Sequence, residues 1–225
     1  MGRQITFAPG EFYHLYNRGV DKRKIFSTIA DYERFLALLY ICNGSNPVNL
    51  NEQGRSLFSI LKNSAERGEP LMNICGYVLM PNHFHILAHE SIEGGISKYM
   101  QKLGNAYIGY FNKRNRRSGT LFEGTFKARH ASRDPYFSYI LSYIHLNPVK
   151  LIEPKWKETG IANKSKAKNF LEGYKYSSYP DYAGQNRMEA CIVNKSALPS
   201  HCTSAADFKE EVNLWLNYNA ENWKV

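Results

Sequence analysis

The stretch Gly76-Tyr77-Val78-Leu79-Met80-Pro81-Asn82-His83-Phe84-His85-Ile86-Leu87 holds two strands and the tight link between them. Residues 73–80 are apolar and aromatic, Pro81-Asn82 interrupts, and residues 83–89 resume in strict alternation. Two strands so closely joined are expected to be antiparallel neighbours. Alternation places His83 and His85 on one face with Cα atoms about 6.6 Å apart, so two imidazoles can converge on one cation. Phe84 and Ile86 then point into a core. His89 shares the face but lies about 13 Å beyond His85, too far to join that ion. An H-x-H pattern also describes ordinary half-buried histidines, so it needs support from elsewhere in the chain.

Working outward, residues 11–18 read as a strand closed by Gly19. Asp31 reads as the N-cap of a helix carried by Tyr32, Phe35, Leu36, Leu38, Leu39 and Ile41. Residues 43–55, rich in Asn, Gly, Ser and Pro, read as a surface excursion, and a short helix is expected near 56–66. After the two central strands come a helix over 94–113, a basic turn over 114–120 and an extended segment within 121–131. Asp134-Pro135 opens a helix that Pro148 stops after Asn147. The order β-α-β-β-α-β-α implies a small antiparallel sheet backed by helices, an α+β fold. Beyond Lys150 the chain has a Lys- and Ser-bearing stretch at 163–168, a Tyr-rich segment at 174–182 and an amphipathic helix near 205–218. The expected division is a domain over 8–150 and a partly helical C-terminal extension over 151–225.

With 225 residues, 43 % of them hydrophobic and 22 % charged, the chain is neither disordered nor collagen-like. Its apolar runs, such as residues 36–42, fall far short of the roughly 20 residues of a membrane span. Residues 1–6 lack the apolar core of a signal peptide, and the four cysteines show no C-x-x-C spacing. A soluble cytoplasmic protein is expected. The charge is uneven: of a net +9, the segment 102–133 carries +7, with Glu123 its one acid. Lys102, Lys113, Arg114, Arg116, Arg117, Lys127 and Arg129 there alternate with Tyr107, Tyr110, Phe111, Phe122 and Phe126. Such a stripe fits a surface that grips phosphates and stacks on unpaired bases, and these seven cations are the expected DNA contacts. The competing reading is a solvated helix face followed by a charged loop.

The helix over 134–147 adds a nucleophile. Tyr143 and Asn147 are four residues apart and share a helix face. A divalent cation held by His83, His85 and the Asn147 carbonyl, with water completing its shell, would be an open site suited to Mg²⁺ or Mn²⁺. The Tyr143 phenol could then attack a polarised phosphodiester and form a phosphotyrosine. Tyr139 and Tyr136 are rival nucleophiles by position, and His145 points off that face as a structural residue.

Taken together, these motifs resemble the IS200-like Y1 transposases, and more closely the REP-associated tyrosine transposases of the HUH endonuclease superfamily. The resemblance rests on residues 76–87 and on Tyr143-Ile144-His145-Leu146-Asn147-Pro148-Val149-Lys150. Further matches are residues 13–19, residues 118–124 and Tyr176-Ser177-Ser178-Tyr179, so that it spans roughly 8–184 in order. It implies an RRM-like (ferredoxin-like) sheet, His83 and His85 as the metal-binding pair, Tyr143 as the single catalytic tyrosine, and Asn147 completing the metal site. It also implies cleavage and rejoining of single-stranded DNA near hairpins through a 5′-phosphotyrosine, without ATP. Monomer and homodimer are both compatible with the chain. Two other classes of function compete: a domesticated hairpin-DNA-binding protein without transposition activity, and a metal-dependent hydrolase that uses water.

Overall fold

The computed structural model describes residues 5–47, 56–62, 67–131, 134–199, 202 and 204–217. Four strands, β1 (Phe12–Arg18), β2 (Asn73–Met80), β3 (His83–His89) and β4 (Lys127–His130), form one sheet in the order β2-β3-β1-β4. Every neighbouring pair is antiparallel. With helix α1 (Ile29–Ile41) between β1 and β2 and α3 (Gly95–Arg114) between β3 and β4, this is the expected RRM-like α+β arrangement. A short α2 (Leu57–Lys62) lies within the expected 56–66. The remainder of that helix and most of the 43–55 excursion lie outside the described residues.

The sheet is buried on both sides, which explains why β2 reads as a continuous apolar run. On one face Leu15, Tyr77, Leu79, Phe84 and Ile86 pack with α1 and α3. On the other, Val78, Met80 and Leu87 pack with α4 (Asp134–Leu146) through Phe137, Ile140, Leu141 and Ile144. The register sets Tyr16 opposite His85 and His14 opposite Leu87, so the His14, Tyr16, His83 and His85 side chains share the α4 face.

Three boundaries differ from expectation. Helix α1 is capped by Thr28, not Asp31: Thr28 accepts from Asp31 N, while Asp31 Oδ2 accepts from Ser27 N and Thr28 N at 2.9 Å each. Asp31 is thus the third helical residue of a capping box, and its buried carboxylate also meets Tyr110 Oη at 3.1 Å and Arg114 at 3.3 Å. Strand β4 occupies four residues of the expected 121–131, because Gly124 takes φ 137° and the preceding chain bonds to the end of β1 through loop contacts. Helix α4 ends at Leu146, one residue earlier than expected, and the chain continues as a 3₁₀ turn over Asn147–Leu151 with Pro148 in its first turn.

After residue 151 come α5 (Trp156–Thr159), α6 (Lys164–Gly173), α7 (Tyr179–Tyr182) and α8 (Ala205–Asn217). Trp156, Leu171, Tyr182, Phe208 and Val212 join the α4-side core. The Tyr-rich segment covers the outer edge of β2: Leu79 N donates to Tyr176 O at 2.8 Å, Ser178 N to Tyr77 O at 3.0 Å, and Tyr174 Oη to Leu79 O at 2.7 Å. An edge left open would present unpaired donors and acceptors to other chains. None of the four cysteines is in a disulfide, and no helix among the described residues is long and apolar enough to cross a membrane.

Candidate active site

His83 and His85 lie side by side, ring centroids 5.0 Å apart, with Met80 and Val78 as their partners on β2. Helix α4 lays Tyr143 over them: its ring is 5.4 Å from that of His85 and 6.2 Å from that of His14. One turn on, the buried Asn147 carboxamide lies against both the Tyr143 hydroxyl and the His83 ring, close enough to influence the ionisation of each. Its Nδ2 has no hydrogen-bond partner. The four residues singled out from the sequence therefore meet.

The rival tyrosines are placed differently. Tyr136, Tyr139 and Tyr143 run as a ladder along α4, with centroids 6.1 and 5.9 Å apart. Tyr139 rests against Trp215 of α8 at 5.4 Å. His145, as expected, turns away: it is buried, with Nδ1 donating to Leu141 O and Nε2 accepting from Ser178 Oγ, each at 2.8 Å.

Electrostatics keep the histidines neutral. Burial, reinforced by Lys150, Lys157 and Arg18, brings His83 down to about 4, with Asn147 acting in the opposite sense. Burial, then the neighbouring His14 and His83, hold His85 far below the ordinary imidazole value. Neutral imidazoles are what metal ligation requires. The free atoms suit it as well. His83 Nδ1 is 2.7 Å from Asn82 Oδ1, an acceptor, which leaves Nε2 with a lone pair; His85 Nε2 is buried without a partner. Two imidazole nitrogens and one carboxamide thus fit a divalent cation. Among the described residues no cluster of three His, Cys, Asp or Glu side chains is placed to hold a metal.

Tyr143 and His85 stand between two clefts. The larger, about 670 Å³, is bordered by Arg18, Lys22, Lys127 and Lys150. The smaller, about 240 Å³, is bordered by Arg129, Lys157, Tyr136 and Tyr139. Lys157 holds its ammonium 3.9 Å from the centroid of the Tyr143 ring, and burial lowers it to about 8. Burial raises the Tyr143 phenol, while Asn147, Lys150 and Arg129 act to lower it. A third cavity, about 730 Å³, lies on the α3 side of the sheet between Phe84, Leu103 and Phe122.

The seven expected DNA contacts divide. Lys127 and Arg129 border the clefts. Lys113, Arg114, Arg116 and Arg117 sit at the C-terminal end of α3 and just beyond it, on the other side of the sheet. Arg114 donates to Tyr110 Oη at 2.6 Å and Arg117 to Thr120 O at 2.9 Å. Lys102 donates to Gly44 O and, at 2.8 Å, to Asn46 O, pinning the turn after α1. Sequence reading did not single out Arg18, Lys22, Lys150, Lys157 or His14. Arg18, Lys150 and His14 lie within motifs already noted and Lys22 just beyond one, whereas Lys157 comes from the extension and carried no local signal.

An RRM-like antiparallel sheet with an H-x-H pair on one strand, faced by a tyrosine-bearing helix, is the class that fold and site define. In solved structures, the fold is shared with that of a REP-associated tyrosine transposase bound to a REP hairpin. The TM-score is 0.52 at 11 % identity, over 84 % of this chain and 89 % of that one. No family model and no curated protein matches the sequence.

Proposed function

We propose that this chain is a single-strand DNA transesterase that cleaves and rejoins DNA at hairpin-containing sites through a 5′-phosphotyrosine. The observation that carries the reading is the meeting of Tyr143, His83 and His85 in a cleft rimmed by cations, with the buried Asn147 against Tyr143 and His83. The fold shared with a hairpin-bound transposase supports the choice of substrate. His83, His85 and Asn147 would hold Mg²⁺ or Mn²⁺, whose chemistry is to polarise a phosphodiester. The Tyr143 oxygen forms the new bond to phosphorus, the bond to the 3′ oxygen breaks, and the released 3′-hydroxyl takes up a proton. Lys157 and Arg129 offset the negative charge beside the phenol. Rejoining is the same step in reverse, with a DNA 3′-hydroxyl attacking and the phenoxide leaving.

The test is incubation of the protein with labelled single-stranded hairpin DNA and Mn²⁺, including hairpins that flank its own gene, followed by denaturing electrophoresis. A protease-sensitive covalent band, lost on chelation, is expected. Its absence across the hairpins would leave a DNA-binding protein without the chemistry.

The cleft cations make a second expectation. Lys22, Lys127 and Lys150 are exposed and border the larger cleft. Replacing each by Ala should weaken DNA binding and lower the salt slope by about 0.7 per lost phosphate contact. Replacing Arg114 and Arg117, already engaged with Tyr110 and Thr120, should change it less. Binding measured from low to moderate salt decides this, and the reverse ranking would move the DNA to the α3 side.

A further inference from the structure

His14 of β1 is tied to the H-x-H pair from the neighbouring strand. His14 Nε2 and His85 Nδ1 are 2.8 Å apart, the rings stack at 4.9 Å, and both residues are buried. A hydrogen bond between two neutral imidazoles has one donor and one acceptor, so only two proton arrangements exist.

If His14 donates, His85 keeps its proton on Nε2, and that atom has no lone pair for a cation. If His85 donates from Nδ1, its Nε2 is bare and His14 carries its own proton on Nδ1. Both outer atoms, His85 Nε2 and His14 Nδ1, are buried without a partner. His83 already shows the second pattern, since Asn82 Oδ1 at 2.7 Å draws its proton to Nδ1.

We propose that His14 is a positioning residue: it accepts the Nδ1 proton of His85 and thereby leaves the His85 Nε2 lone pair for the cation, as Asn82 does for His83. This rests on the metal-site reading above. A partner on the second ring nitrogen both fixes the tautomer and holds the ring in one orientation. The tautomer therefore depends on a residue about seventy positions away in sequence, on another strand.

Two measurements on the full chain test it. Nitrogen-15 NMR of histidine-labelled wild type should find His85 protonated at Nδ1 and bare at Nε2. A proton on Nε2 overturns the proposal. Mn²⁺ titration followed by electron paramagnetic resonance should show His14→Ala binding roughly ten- to a hundredfold more weakly. His14→Gln, whose Oε1 can accept the same proton, should stay close to wild type. Wild-type affinity in His14→Ala, or equal losses in both variants, would reduce His14 to packing and overturn its role. A wild type that binds no Mn²⁺ would instead sink the metal reading itself, so the two failures are told apart.

Discussion

Tyr143→Phe is expected to eliminate the covalent protein–DNA band while hairpin affinity stays within about twofold of wild type. The substitution removes one oxygen and keeps the ring. The contacts of that ring with His85 at 5.4 Å and Tyr139 at 5.9 Å persist, and the Lys157 ammonium at 3.9 Å still faces an aromatic surface. The ring packing and the cationic rim should therefore persist, and what is lost is the proposed nucleophile with its contact to Asn147. Removal of a covalent nucleophile costs on the order of 10⁴-fold or more in rate, which takes the band below detection on a gel. Tyr139→Phe is the control. Tyr139 rests against Trp215, and burial pushes its phenol up to about 12, so its loss should leave the adduct in place. A band that survives Tyr143→Phe and vanishes in Tyr139→Phe would transfer the role one turn up the helix.

Asp181→Ala is expected to destabilise the protein by about 3–5 kcal/mol, a large share of the roughly 5–15 kcal/mol that holds a domain together. Asp181 is fully buried at its side chain, and Arg187 beside it is 14 % exposed. Their contact is bidentate, at 2.7 and 2.6 Å, and Arg187 also donates to Tyr77 Oη at 3.1 Å and to the Lys175 carbonyl at 2.8 Å. Burial works against the Asp181 carboxylate, raising it, and Arg187 pulls in the other direction. Removing the acid leaves a guanidinium buried without its counter-charge, between the C-terminal segment and the middle of β2. Chemical denaturation of both proteins measures the loss. A change below 1 kcal/mol would mean that water reaches Arg187 and that this clasp contributes little. Paired removal, Asp181→Ala with Arg187→Met, should recover part of the loss, because no orphaned charge remains.

Much of the fold is legible in the sequence because strand and helix periods are local. The runs 73–80 and 83–89 coincide with β2 and β3, as Pro81-Asn82 can only be a break between two apolar-rich runs. Helix α3 and α8 lie within a residue or so of expectation for the same reason. The misreadings occur where a tertiary contact decided a local outcome. Asp31 looks like a cap, yet its carboxylate is needed by Ser27 and Thr28 and by Tyr110 from α3, which places the cap at Thr28. Residues 121–126 carry strand-forming side chains, but they meet the end of β1 through the Arg18–Glu123 pair and the Asn17–Gly124 bond instead of a ladder.

For the candidate site, the sequence alone determined two pairings. Period 2 on a strand puts His83 and His85 on one face, and the i, i+4 spacing on a helix puts Tyr143 beside Asn147. Only the tertiary structure decided that these two faces meet. Both sides of the sheet are apolar, so nothing in the β2 or β3 pattern says whether α3 or α4 covers the histidines. Strand register, a long-range property, brought His14 onto His85 and Arg18 opposite His83. The return of the C-terminal segment across α4 brought Lys157 over the Tyr143 ring, from a position whose own sequence is unremarkable because its charge acquires meaning only through what it is folded against.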